Sequence, residues 1–157
     1  MASRHWLFKS EPESFSIDDL ARAPGQKTFW NGVRNYQARN LLRDEVRVGD
    51  GVLFYHSNAD PPAVVGLAEV VRAGYPDETQ FDPKSPYHDA GASPDDPRWF
   101  MVDIKFKEKL ARAVPLDELR TVPALGDMVL LKRSRLSVQP VTAAEWKAIV
   151  ALGRKRA

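Results

Sequence analysis

The chain has 157 residues, a length that fits one compact domain with one core, and its 43% hydrophobic, 28% charged and 10% aromatic residues carry no signature of disorder. It contains no cysteine, which excludes disulfides, zinc–thiolate sites and thiol nucleophiles. The net charge of +2 is mild but unevenly spread: five bases against two acids over residues 27–47, six acids against two bases over 74–98, and seven bases against Glu145 alone from residue 128 onward. Such asymmetry suits a negatively charged partner, though solubility alone also explains it. The opening "MASRHWLFKSEPE" lacks the apolar core of a signal peptide, and no apolar run reaches membrane-spanning length. The expectation is a soluble intracellular protein, cytoplasmic or, in a eukaryote, nuclear.

In chain order, "HWLF" (5–8) reads as a short buried strand that leaves through the turn "KSEPESFS". Ser16 with Asp19 approximates a capping box for the helix "IDDLARA", closed by Pro24 and Gly25. "FWNGVRNYQARN" (29–40) runs into a second helix whose apolar stripe is Ala38, Leu41 and Leu42. "GVLFYHS" (51–57) and "AVVGLAEVVR" (63–72) form a hairpin-like pair of strands. Residues 73–97 hold five of the twelve prolines and no periodicity, which predicts a long loop, pinned to the body through Tyr75, Phe81 and Tyr87. The alternation of Phe100, Val102, Ile104 and Phe106 predicts a long strand over 98–110, and Pro115 opens the helical turn "PLDELR". "MVLLK" (128–132) and "RLSVQPV" (135–141) read as two closing strand segments. Thr142 and Glu145 box the start of a last helix, "AAEWKAIVAL", ended by Gly153. Without an internal repeat, a linker or a regular βαβ alternation, the pattern predicts one mixed α+β domain over 1–157: a small, strongly curved mixed sheet or barrel with helices packed outside.

Catalytic signatures are missing. His56 and Ser57 are neighbours on a strand and so point to opposite faces; there is no G-x-S-x-G elbow, G-x-G-x-x-G or P-loop. His5, His56 and His88 lack ligand spacing, and the aspartates of residues 77–96 lack calcium-loop spacing. No catalytic residue, metal site or cofactor is expected.

The stretch over 29–40 is different. Arg34 falls near the start of a helix, where a cation opposes the helix dipole by about 0.3–1 kcal/mol unless an anion such as a phosphate docks there. Asn35, Arg39 and Arg43 follow at spacing four and share a polar face. Trp30 and Asn31 pair a stacking plane with an amide that can donate and accept, which is what recognition of a base requires. A core Trp30 with solvated arginines fits the same residues. Lys9 and Ser10 end the first strand without apolar continuation, and Lys132, Arg133 and Arg135 surround small hydroxyls, a phosphate-friendly mix.

Taken together, "WLFKSEP", "FWNGVRNYQARN", "GDGVLFYHS", "VVGLAEVVR", "YPDETQFDP" and "RLSVQPV" resemble the EVE domain family, in order and over nearly the whole chain. The resemblance implies a PUA-like fold, kinship with the YTH, ASCH and PUA modules that bind RNA or modified nucleobases, and recognition of modified bases, cytosine derivatives in DNA among them. By similarity to YTH domains, Lys9 and Ser10 stand where the first strand ends beside a base, with Trp30 as stacking wall and Asn31 as edge reader; Tyr55 and Ser57 are candidate pocket lining. The reading is a nucleic-acid-binding module without catalytic residues, a monomer that takes a modified base of DNA or RNA into an aromatic pocket and does not engage membranes. Its base pocket is Lys9, Ser10, Trp30, Asn31, Tyr55 and Ser57, and its backbone contacts are Arg34, Arg39, Lys132, Arg133 and Arg135. An enzyme acting on a modified nucleoside, with Lys9 as its near candidate, and a protein-interaction adaptor using the acidic loop are the alternatives.

Overall fold

A computed structural model describes residues 4–132 and 135–155. Six strands form one mixed sheet in the order β2-β5-β4-β3-β1-β6. They are β1 (His5–Ser10), β2 (Lys27–Phe29), β3 (Gly51–His56), β4 (Ala63–Pro76), β5 (Phe100–Pro115) and β6 (Val138–Val141). Only β1 and β3 run parallel, because the chain crosses between them through α1 (Ile17–Arg22), β2 and α2 (Tyr36–Asp44); the other pairings are antiparallel. The long β4–β5 ribbon shifts register at four places, and each such irregularity bends the strands and increases their twist.

Strand alternation divides the interior into two apolar clusters, one on each face. Trp6, Phe8, Val52, Phe54, Val70, Val102 and Ile104 meet α1 and α2 on one face. Leu7, Leu53, Tyr55, Leu67 and Val114 meet the other helices on the opposite face. These are α3 (Leu116–Leu119), α4 (Val129–Lys132) and α5 (Ala143–Arg154). Trp6 can be fully buried because its indole N–H donates to Asp50 at 2.8 Å; the same carboxylate accepts from the Arg4 and Arg47 backbones, closing the turn into β3.

Both expected capping boxes are present, Ser16 with Asp19 and Thr142 with Glu145. Two expectations about helices are corrected. "MVLLK" is a helical turn, α4, rather than a strand. A run of five residues is too short for periodicity to separate helix from strand, and Val138–Val141 already fills the antiparallel position beside β1. Gly153 lies inside α5 rather than after it, because Leu110 packs so closely that a Cβ there would come within 2.5 Å of Leu110 Cδ1. A three-residue edge strand, β2, which no sequence signal announced, ends at Phe29 and leads into Trp30. The long connection expected over 73–97 spans 77–99 instead, because β4 runs on to Pro76, and a polar side chain organises it. Gln80 is buried; its amide nitrogen donates to the carbonyls of Asp77 and Trp99, and its oxygen accepts from the Arg98 and Trp99 backbones. Among the described residues no helix is long and apolar enough to cross a membrane.

Candidate functional site

A cavity of about 570 Å³ opens where the end of β1 meets the segment that follows β2, with Lys9, Ser10, Phe29, Trp30, Asn31 and Tyr87 among its lining residues. Trp30 forms part of its floor. The Trp30 backbone N–H donates to Val102 at 2.7 Å. Its ring packs against Phe8 at 5.5 Å and, edge-on, against Phe54 at 5.6 Å and Phe15 at 6.4 Å. The indole is 9% exposed. No described residue accepts a hydrogen bond from its Nε1, yet that atom is not sealed from solvent, and the residue lines the cavity. Trp30 is thus a core residue on one side and a cavity wall on the other, which joins the two readings that its sequence position allowed.

Asn31 follows on the lining, its side-chain amide bonded to no described residue. Ser10 uses its hydroxyl internally, donating to the Phe15 carbonyl at 2.5 Å and so holding Phe15 near Trp30. The rim carries exposed aromatic surface from Phe29 and Tyr87, which are 55% and 42% exposed.

The segment 31–34 is fixed from outside by Asp77. This fully buried carboxylate accepts from the Gly32 backbone at 2.8 Å and from Arg34 Nη1 at 3.1 Å, and also from Thr79. Burial alone would raise the Asp77 carboxyl, but the donations from Thr79, Gly32 and Arg34 outweigh it and hold it below the usual carboxylate range. Gly32 has φ of +80° and lies against the Tyr87 ring, so close that a Cβ would fall 2.7 Å from Tyr87 Cζ. Arg34 differs from the expectation in two respects. The helix starts at Tyr36 with Asn35 as its cap, which leaves Arg34 outside it. Its five N–H bonds are all engaged within the protein, by the carbonyls of Val33 and Tyr87, by Asp77 and by Thr79. Its plane lies between the Tyr87 and Trp99 rings, at 5.5 and 5.3 Å. Arg34 therefore shapes the cavity wall and holds Tyr87 on it.

Tyr55 and Ser57 lie elsewhere, on a second cavity of about 300 Å³ that also touches Lys9, Arg120 and Lys132. Strand register explains the split. Lys9 stands opposite Tyr55 and Ser10 opposite His56, and alternation sends Tyr55 to the face of Leu7 and Leu53, away from Trp30. Lys9 lines both cavities and its ammonium lies 6.0 Å from the Tyr55 ring; burial lowers its pKa below the usual lysine value.

Among the residues expected to contact a backbone, Arg39 packs on the Tyr36 ring at 5.0 Å and donates to the Arg98 carbonyl at 2.6 Å. Lys132 pairs with Asp127 at 3.1 Å, and Arg135 is exposed. Arg133 lies outside the described residues. Asp77 and Tyr87 were not foreseen as part of the site. Asp77 resembles any turn-forming aspartate beside a proline, and only its burial reveals what it holds. No cluster of metal-ligating side chains occurs among the described residues.

A sheet of this topology with an aromatic-floored cavity at the end of a parallel strand pair is the arrangement expected of a PUA-like module. The EVE domain matches residues 4–152. The chain belongs to the EVE domain family. Human thymocyte nuclear protein 1 is 44% identical over 98% of this chain and 75% of its own length, and its chicken counterpart is 43% identical over 97% and 69%. Among solved structures, that of human THYN1 protein in complex with 5-methylcytosine-containing DNA superposes with a TM-score of 0.92 at 44% identity, covering 99% of this chain and 100% of that one. A hypothetical protein from Leishmania major superposes with a TM-score of 0.91 at 47% identity, covering 97% and 95%. An ASCH protein from Zymomonas mobilis, 12% identical with a TM-score of 0.55 and coverage of 95% and 98%, shares the fold.

Proposed function

We propose that this protein is a nucleic-acid-binding module that takes a modified base, a 5-methylcytosine derivative in the first instance, into the cavity floored by Trp30, and that it acts as a monomer. The observation that carries the reading is the meeting of an aromatic plane with unengaged polar groups. Trp30 and Asn31, whose indole Nε1 and side-chain amide bond to no described residue, line one cavity together with the exposed Phe29 and Tyr87. A ligand with a flat π-face and a hydrogen-bonding edge satisfies both at once. The match to THYN1, with its DNA complex, supports the same chemistry. In this reading Lys9 and Ser10 border the base, Arg39, Arg133 and Arg135 are backbone contacts, and Arg34 is a positioning residue.

A second reading, an enzyme acting on a modified nucleoside, has Lys9 in its favour: a part-buried amine of lowered pKa beside the cavity. One experiment separates the two. Single- and double-stranded DNA and RNA oligonucleotides, with and without 5-methylcytosine, are titrated against the protein and then recovered for mass analysis. Tighter binding of the methylated strands with unchanged mass supports the binding module. A mass change supports the enzyme, and equal affinity for methylated and unmethylated strands overturns the base pocket.

A further inference from the structure

We propose that the second cavity is an anion subsite that seats a backbone phosphate beside the base held in the first, so that the protein recognises a nucleotide rather than a bare nucleobase. This rests on the reading of the first cavity as a base pocket. Three separate elements bring cations to the second cavity: Lys9 from the end of β1, Arg120 from the turn after α3 and Lys132 from α4. Tyr55 and Ser57 add hydroxyls, and no carboxylate lines it among the described residues. A concave space lined by one sign of charge focuses the field inside it and draws a counter-ion.

Two of these cations, Arg120 and Lys132, also have donors to give. Arg120 makes no ion pair and no side-chain hydrogen bond with any described residue. Among the described residues Lys132 pairs with Asp127 alone, which is 97% exposed, and an exposed pair of that kind is weak enough to exchange for a phosphate. The two cavities adjoin through β1, since Lys9 lines both and Ser10 accepts, through its carbonyl, the Ser57 backbone N–H at 3.0 Å. A strand that inserts its base against Trp30 thus has a neighbouring phosphate close to Lys9 and Arg120.

The test pairs a protein change with a ligand change. The probe is a single-stranded DNA oligonucleotide with one 5-methylcytosine, made also with a neutral methylphosphonate at the linkage 5′ or 3′ to that nucleotide. One of these substitutions should weaken binding to the parent protein about tenfold, the scale of a charge-assisted hydrogen bond lost. Arg120→Ala should weaken the natural strand about as much and reduce the slope of log affinity against log salt by about one. The two losses should not add, and Lys132→Ala should couple to the same linkage. Melting of Arg120→Ala should match the parent, because its exposed side chain bonds no described residue. Additive losses, or equal cost from a methylphosphonate at any linkage, overturn the subsite. The methylated-versus-unmethylated preference of the parent, read in the same titrations, separately decides whether the base pocket stands.

Discussion

Arg34 and Asp77 lie 43 residues apart in the sequence and 3.1 Å apart in space. The contact makes the "FWNGVR" segment and the acidic connection two halves of one wall. The carboxylate is fully enclosed while the arginine side chain keeps 22% of its surface. Removing the carboxylate therefore strands a part-buried cation and an unpaired Gly32 N–H.

Asp77→Asn should cost about 3 kcal/mol of stability at neutral pH, the lower end of the range for breaking a buried pair because Arg34 reaches solvent. The pH profile gives a second readout. The folded carboxyl sits below its unfolded value, so its contribution is full above about pH 4 and is lost as pH falls through the lower folded value. Chemical denaturation between pH 7 and 3 should show a smaller acid-side loss for Asp77→Asn than for the parent. Equal losses would mean that the carboxyl is not held down.

The helices and strands around this wall were legible because their signals are local. Ser16 with Asp19 and Thr142 with Glu145 announce helix starts, and Phe100, Val102, Ile104 and Phe106 announce a strand. The shape of the site depends on pairings that no local signal carries. Strand alternation, applied to His56 and Ser57, applies equally to Phe54 and Tyr55. It sets Tyr55 on the opposite face from Phe54, and the register of β1 on β3 is what puts Tyr55 level with Lys9 rather than with Ser10. The burial of Asp77 and the five-fold engagement of Arg34 follow from tertiary packing alone. An arginine near a helix start reads as an anion site until its donors are traced.

Gly32→Ala tests the contact between that wall and Tyr87. The φ of +80° already costs a residue with a Cβ about 1–2 kcal/mol, and the added methyl would meet the Tyr87 ring at 2.7 Å. The ring must move off the cavity rim. Thermal melting should show the loss of stability, and oligonucleotide affinity should fall with it. A variant that melts lower but binds as before would remove Tyr87 from the site.

His56 gives a separate pH response. Its Nε2 accepts from the Ile17 backbone at 3.1 Å at the start of α1, so protonation there replaces an acceptor with a donor. Burial lowers its pKa and outweighs the nearby Asp18 charge, which would raise it. With the folded value below the unfolded one, the stabilisation is full above about pH 6.5 and is lost as pH falls through the folded value. Melting temperature should drop between pH 7 and 5, and the drop should be smaller in His56→Gln. His5, whose pKa is also lowered by burial, titrates in the same window, so the difference between variant and parent is the measurement. An unchanged difference across that window would show that the Ile17 bond does not depend on His56 being neutral.

Trp30 requires two substitutions, because it serves the core and the cavity together. Trp30→Ala removes a ring packed on Phe8, Phe15 and Phe54 and should cost about 3–5 kcal/mol of stability. It should also forfeit the ~1–3 kcal/mol of a stacked base, which is roughly tenfold to over a hundredfold in affinity. Its binding loss alone cannot separate the two roles. Trp30→Phe keeps an aromatic plane against the same neighbours and deletes the Nε1 donor. It should melt close to the parent and lose about 0.5–1.5 kcal/mol in binding the methylated strand, the net value of one hydrogen bond. The unmethylated strand, held mainly through its backbone, should lose less. Arg39→Ala should weaken both strands alike and keep the preference between them. If Trp30→Phe discriminates as the parent does, the indole N–H plays no part in recognition. If Trp30→Ala still folds and discriminates, the base binds elsewhere and the cavity is not the site.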